Sequence, residues 1–171
     1  QYVAWFQAPG IAEHYMDQHV AKIVSNTLRT SVPLRDLVEA SLVDGKINMN
    51  PFYDVDAAPG LGELLLDEQS FAHYVRSFST TGFAGGINWY RNADRNAAEH
   101  PDVGVAPLDI PCLMLTAELD PGLRPQFADD VPERCSNLEM HMIEASGHWM
   151  QKEHANTFNG YLVSWLDKHF G

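Results

Sequence analysis

The chain reads as an α/β protein: several helices, then a strand–helix–strand–helix series. Three observations carry that reading. Apolar residues recur every three or four positions from Ile11, as one face of a helix requires. Pro111 to Thr116 is a short continuous apolar run, the mark of a strand buried on both faces. Leu138, Met140 and Met142 alternate with Glu139 and His141, the period-2 pattern of a second strand.

In chain order, residues 1–10 end in Ala8-Pro9-Gly10, a turn signal. One helix then runs through Ile11, Tyr15, Met16, Val20, Ile23, Val24 and Leu28, with Glu13 and Asp17 early and Arg29 late, as the helix dipole favours. Pro33 bounds its far end. Residues 30–66 are turn-rich around 48–51 and 57–62 and predict loops with at most short helices. Asp67 fits an N-cap, followed by Phe71, Tyr74, Val75 and Phe78 at helical spacing. Residues 87–99 predict a further helix after Gly85-Gly86. Two prolines in 100–110, Pro101 and Pro107, mark a domain boundary. Beyond the two strands, Phe158, Leu162, Trp165, Leu166 and Phe170 form the stripe of a C-terminal helix. Two parallel strands do not make a stable sheet alone, so most of the sheet is expected outside this chain.

Composition excludes several classes. The 171 residues are 45% hydrophobic and 20% charged, an ordinary globular balance. Eleven Lys and Arg against 23 Asp and Glu leave a net charge of −12, which repels phosphate backbones and argues against a nucleic-acid partner. No apolar run approaches the roughly 18 residues of a membrane span. Cys112 and Cys135 make no disulfide framework; Cys112, in an apolar run, is expected as a small buried hydrophobe. A reduced, cytoplasmic setting is the expectation. The chain opens without an initiator Met, a basic n-region or an apolar h-region, as if in mid-fold.

Two loop positions carry chemistry. Asp120 follows the first strand in Leu119-Asp120-Pro121-Gly122, and His148 follows the second in Ser146-Gly147-His148-Trp149. Sites in open α/β sheets lie at these C-terminal strand ends. A carboxylate holding one imidazole nitrogen leaves the other as a base. Taken singly, Asp120 is an ordinary turn residue and His148 merely ends a strand; it is the pairing that points to catalysis. No Gly-x-Ser-x-Gly elbow or Gly-x-Asp-x-Gly equivalent occurs in the chain, so the nucleophile is expected upstream of residue 1. The remaining histidines lack zinc spacing, and His141 is expected to face solvent.

Four segments, in order, resemble α/β-hydrolase-fold epoxide hydrolases. They are Trp5-Phe6-Gln7-Ala8-Pro9-Gly10-Ile11-Ala12-Glu13, Gly82-Phe83-Ala84-Gly85-Gly86-Ile87-Asn88-Trp89-Tyr90-Arg91-Asn92, Leu115-Thr116-Ala117-Glu118-Leu119-Asp120, and Gly147-His148-Trp149-Met150-Gln151. The resemblance covers essentially the whole chain. It implies a helical lid over 1–104 and, over 105–171, the last two parallel strands and helices of the hydrolase core. It implies an Asp carboxylate, not in this chain, that opens the epoxide to an ester. Two tyrosines, Tyr2 and Tyr90, donate to the epoxide oxygen, Asp120 is the acid and His148 the base that activates water. The two phenols are expected to converge on one point above His148. Phe6, Leu123 and Trp149 are expected to bind substrate, with Trp149 equally suited to packing on the last helix. The resemblance implies a small apolar epoxide and water as reactants, no cofactor and no metal. It also implies association with the N-terminal segment of the same protein; a homodimer stays open. The alternatives are a haloalkane or haloacid dehalogenase of the same fold, which needs halide donors such as Trp or Asn, and a hydrolase-like binding protein without turnover.

Overall fold

A computed structural model describes residues 2–43, 46–47, 50–56 and 60–171. In chain order the elements are helices α1 (Tyr2–Phe6), α2 (Ile11–Gln18), α3 (Val20–Thr27) and α4 (Leu34–Ala40), short strands β1 (Leu42–Val43) and β2 (Lys46–Ile47), helices α5 (Glu68–Thr81), α6 (Ala84–Arg91) and α7 (Ala93–Glu99), strands β3 (Cys112–Ala117) and β4 (Leu138–Ile143), and helices α8 (Met150–Glu153) and α9 (Ala155–Phe170). The chain divides into two compact units, residues 1–29 with 35–101 and residues 30–34 with 102–171.

In the first unit the single helix expected from Ile11 is two. The break at His19 has a local cause. His19 Nδ1 lies 2.7 Å from the Tyr15 carbonyl, the acceptor that the His19 amide would use in a continuous helix. That amide turns to Met16 O instead, at 3.0 Å, and the His19 ring stacks on Tyr15 at 4.3 Å. The Ala8-Pro9-Gly10 turn holds, but a five-residue helix, α1, precedes it. Its apolar run is too short to show a period. Helix α5 starts where Asp67 predicts, with Asp67 Oδ1 accepting from the Ser70 amide at 2.7 Å, and ends at Gly82, whose φ of 66° lies in the left-handed region. The next helix begins earlier than the glycine pair suggests and is split at Asn92. Asp17 on α2 accepts from the Phe83 amide at 3.1 Å, which anchors the start of α6 ahead of Gly85 and Gly86. In the stretch expected to be loop, β1 and β2 form a small antiparallel pair, Leu42 opposite Ile47. Part of both turn-rich stretches (48, 49 and 57–59) lies outside the described residues.

The helical faces close one core: Phe6, Ala12, Met16, Val20, Ile23, Val24, Val55, Phe83 and Ile87 are buried together. Met16, Val20, Ile23 and Val24 are positions of the predicted i, i+3, i+4 stripe, so their burial follows from the amphipathic spacing, whereas Ile11, which opens that stripe, is exposed and Val55 and Phe83 reach the core from outside the helices.

In the second unit β3 and β4 pair in parallel, Cys112 opposite Leu138 through Ala117 opposite Ile143. The helix expected between them is replaced by two 3₁₀ turns, Pro125–Ala128 and Val131–Glu133. Pro125 and Pro132 stand in their first turns, where a ring without an N–H is tolerated, and Pro132 would fall in the interior of an α-helix continued from Pro125 and break it. Only Ala117 of β3 is buried; Cys112 to Thr116 are half-buried, which corrects the expectation for Cys112. Its thiol donates to Ile110 O at 3.3 Å, and burial, with Cys112 as neighbour, pushes the Cys135 thiol up. His141 likewise does not simply face solvent. Its ring stacks on Tyr161 of α9 at 4.1 Å, and Nε2 pairs with Glu139 Oε1 at 2.9 Å.

Candidate active site

The loops that leave β3 and β4 are tied to each other. The Glu118 amide donates to Ile143 O at 3.1 Å and the Leu119 amide to Ser146 O at 2.7 Å. Glu118 Oε2 accepts from the Ala145 amide at 2.8 Å, and Ala145 is held at φ 52°, a sparsely populated region for a residue with a Cβ. Strain of this kind persists only where surrounding structure over-determines it.

Asp120 serves the turn and the imidazole at once. Its Oδ1 accepts from the amides of Gly122 and Leu123, at 2.8 and 2.9 Å, closing the Asp-Pro-Gly turn. Its Oδ2 lies 2.9 Å from His148 Nδ1. Both readings of this residue are therefore met by one carboxylate with two oxygens. Asp120 is 4% exposed, while the His148 side chain is 46% exposed. With a carboxylate oxygen as acceptor, Nδ1 donates and Nε2 is left with its lone pair.

The backbone around His148 is fixed by a residue that spacing did not single out. Glu153, in α8, accepts from the amides of Gly147 (3.1 Å) and Trp149 (3.2 Å), one on each side of the histidine. It also accepts from the Ser31 amide at 3.3 Å, and Ser31 Oγ accepts from the His148 amide at 3.3 Å. A Cβ on Gly147 would collide with the Ser31 side chain, so the loop needs glycine there. Signals for Glu153 were thin: a carboxylate in the first turn of a short helix, five residues past His148. Trp149 packs edge-on against the His148 ring, centroids 5.1 Å apart. Leu123 is 65% exposed.

In the first unit the structure brings Tyr2 and Tyr90 together from distant parts of the sequence. Their rings meet edge to face at 5.5 Å. Burial pushes the Tyr2 phenol above its usual value of 10.0, and a hydrogen bond with the Tyr90 side chain adds to the shift. A phenol shifted upward stays protonated at neutral pH and remains a donor. Phe6 is in the core rather than on a surface, its ring 5.5 Å from Tyr2 and 5.3 Å from Tyr90. Beside the pair, the Arg91 guanidinium forks onto the Glu13 carboxylate and holds that carboxyl well below its usual 4.5, at about 2. Among the described residues no group of His, Cys, Asp and Glu is arranged to hold a metal ion. No helix among them is long and apolar enough to cross a membrane.

No protein-family model matches the chain. Individual proteins do. Bifunctional epoxide hydrolase 2 of Mus musculus is 31% identical over 166 residues, which is 96% of this chain and 29% of that protein. Epoxide hydrolase A of Mycobacterium tuberculosis is 30% identical over 169 residues, 96% of this chain and 51% of the relative. The crystal structure of epoxide hydrolase A from Mycobacterium thermoresistibile superposes with a TM-score of 0.79 at 28% identity, over 98% of this chain and 52% of that one. The chain thus spans about half or less of the length of the relatives it matches. The fold is part of an α/β-hydrolase, a helical segment followed by two parallel core strands. Within that fold, the proteins it is similar to over nearly its whole length are epoxide hydrolases.

Proposed function

We propose that the protein to which this chain belongs hydrolyses small apolar epoxides to vicinal diols. Residues 1–104 act as the lid and 105–171 as the end of the catalytic core. The nucleophile, an Asp carboxylate, comes from a part of the protein outside these residues. Its oxygen attacks an epoxide carbon as the carbon–oxygen bond breaks, and an ester forms. Tyr2 and Tyr90 donate to the oxygen as charge develops on it, and a phenol proton ends on the new hydroxyl. His148 Nε2 then takes a proton from water, and the hydroxide adds to the ester carbonyl. The carbon–oxygen bond to the diol breaks, the departing oxygen takes the proton of the carboxyl group so formed, the carboxylate is thereby restored, and the proton held by the imidazole returns to the phenolate through solvent. Asp120 orients the imidazole and stabilises its charged form. The ester divides one difficult hydrolysis into two easier steps.

The observation that carries this reading is the paired phenols. Two hydroxyl donors in contact suit a developing alkoxide, whereas dehalogenation calls for donors to a halide, and a binding protein has no need of an oriented Asp120–His148 pair. The test is a single-turnover reaction of the complete protein with styrene oxide, followed by mass spectrometry of the quenched enzyme. The expected result is a protein adduct one substrate mass heavier that decays to diol. Turnover of a haloalkane with no adduct from the epoxide would overturn it.

A further inference from the structure

We propose that Arg91 is a positioning residue that sets the spacing of the tyrosine pair by clamping α1 onto α6. The inference rests on the epoxide hydrolase reading above and extends it to a residue that touches no reacting atom.

Helix α1 has five residues, too few to be stable by itself. Its last carbonyls have no partner within the helix. Arg91 supplies one. Its Nε donates to Phe6 O at 2.7 Å, and Nη2 donates to Ala8 O in the following turn at 3.1 Å. The same guanidinium forks onto both oxygens of Glu13 on α2, and Nη1 also reaches Asn88 Oδ1, one turn back on α6, at 3.1 Å. Glu13 Oε2 in turn accepts from the Gly10 amide at 3.0 Å. A second link runs parallel, from Gln7 Nε2 to Tyr90 O at 3.3 Å. All three guanidinium nitrogens are used, and they span α1, its turn, α2 and α6.

Tyr90 is the residue before Arg91, and Tyr2 lies one turn before Phe6 on α1. The clamp therefore ties the two short backbone segments that carry the phenols, at a point one residue from one and one helical turn from the other. The Arg91 and Glu13 side chains are only 17% and 16% exposed, so the pair is largely held out of bulk water. A lysine keeps the charge but cannot reproduce the planar fork or reach three carbonyl and carboxylate groups at once.

The experiment uses the complete protein with Arg91→Lys and, separately, Glu13→Gln. Two readouts are taken: the rates of ester formation and ester hydrolysis in single turnover, and the tyrosine ring signals by NMR with labelled tyrosine. Ester formation should slow by about 10- to 100-fold, the range for a displacement on the order of 1 Å, while ester hydrolysis stays unchanged. The Tyr2–Tyr90 ring cross-peak should weaken and the Tyr2 titration should move down toward 10.0. A lower melting temperature with both rates and both ring signals unchanged would make Arg91 a structural residue only and overturn the proposal. If the wild-type protein opens no epoxide, the functional reading fails by itself, and the ring signals still decide whether the clamp sets the pair.

Discussion

The two units bury their apolar surface very differently. The helical unit closes around Phe6, Met16, Ile23, Val24, Phe83 and Ile87, with further aromatic side chains packed on them. In the strand-bearing unit the buried apolar residues are Ala117, Ala128 and Ile143, while Ile110, Met140, Met142, Val163, Leu166 and Phe170 stay exposed. A helix buries one stripe and can find its partners among neighbouring helices. A parallel strand has two faces and two edges to cover, and a pair of strands with one long helix cannot do so. The polar architecture runs the other way. The strand-bearing unit carries the buried Asp120, the strained Ala145 and the triply bonded Glu153 around one imidazole, whereas the phenols of the helical unit pack ring against ring, with the Arg91–Glu13 ion pair beside them. The proposed chemistry assigns the first step to the phenols and the second to the imidazole, and that division can be tested.

The largest effect is expected at His148. His148→Gln in the complete protein should leave ester formation intact and slow its hydrolysis by about 10²- to 10⁴-fold, the usual contribution of a general base. The intermediate should then accumulate, visible by mass spectrometry as a stable adduct. Diol release at the wild-type rate would dissolve the division between the units. Next come the phenols. Changing Tyr2 or Tyr90 to Phe should raise the barrier to ester formation by roughly 2–4 kcal/mol per lost donor, without slowing hydrolysis of ester once formed. Stopped-flow tryptophan fluorescence would separate the two.

A smaller change is expected from Gly147→Ala. The added Cβ meets Ser31, and relieving the overlap should cost about 1–3 kcal/mol. It should also slow the second step, because the Ser31–His148 amide bond must give way. Thermal melts and adduct lifetimes check both. The smallest effect concerns acid. Glu13 titrates near 2 in the folded protein instead of 4.5, chiefly through its bonds with Arg91. Glu139 lies at a similar value, held first by His141 and then by Lys168. Each folded pKa is depressed, so the unfolded chain takes up protons first as pH falls. The stabilisation is complete above 4.5 and is lost between there and about 2. Melting temperatures should fall through that window, and Glu13→Gln and Glu139→Gln should each flatten the fall. A fall unchanged in either variant would remove that carboxylate from the account.

How far the sequence was legible depends on the range of the interactions involved. Asp67 bonds an amide three residues on, and the β3 run and the β4 alternation are periodicities carried within six residues each, so these elements appear where local pattern puts them even though the two strands pair across the chain. His19 was not legible, since its side chain outcompetes its own backbone for the Tyr15 carbonyl, and hydrophobic spacing carries no record of that. The 3₁₀ turns between β3 and β4 were signalled by Pro125 and Pro132 but read as a helix, because a crossover between parallel strands usually is one.

At the candidate site, the strand–loop rule placed Asp120 and His148 at neighbouring strand ends, and their residue types defined what they could do together. That much is local chemistry plus one rule of parallel sheets. The contact of Tyr2 with Tyr90, the convergence of Arg91 on Phe6, Ala8 and Glu13, and the seat of Glu153 beneath the His148 loop were decided by tertiary structure. They join residues far apart in the chain, or a side chain to backbone groups. Backbone amides and carbonyls are alike at every position, so no letter in the sequence announces which of them a distant guanidinium or carboxylate will take.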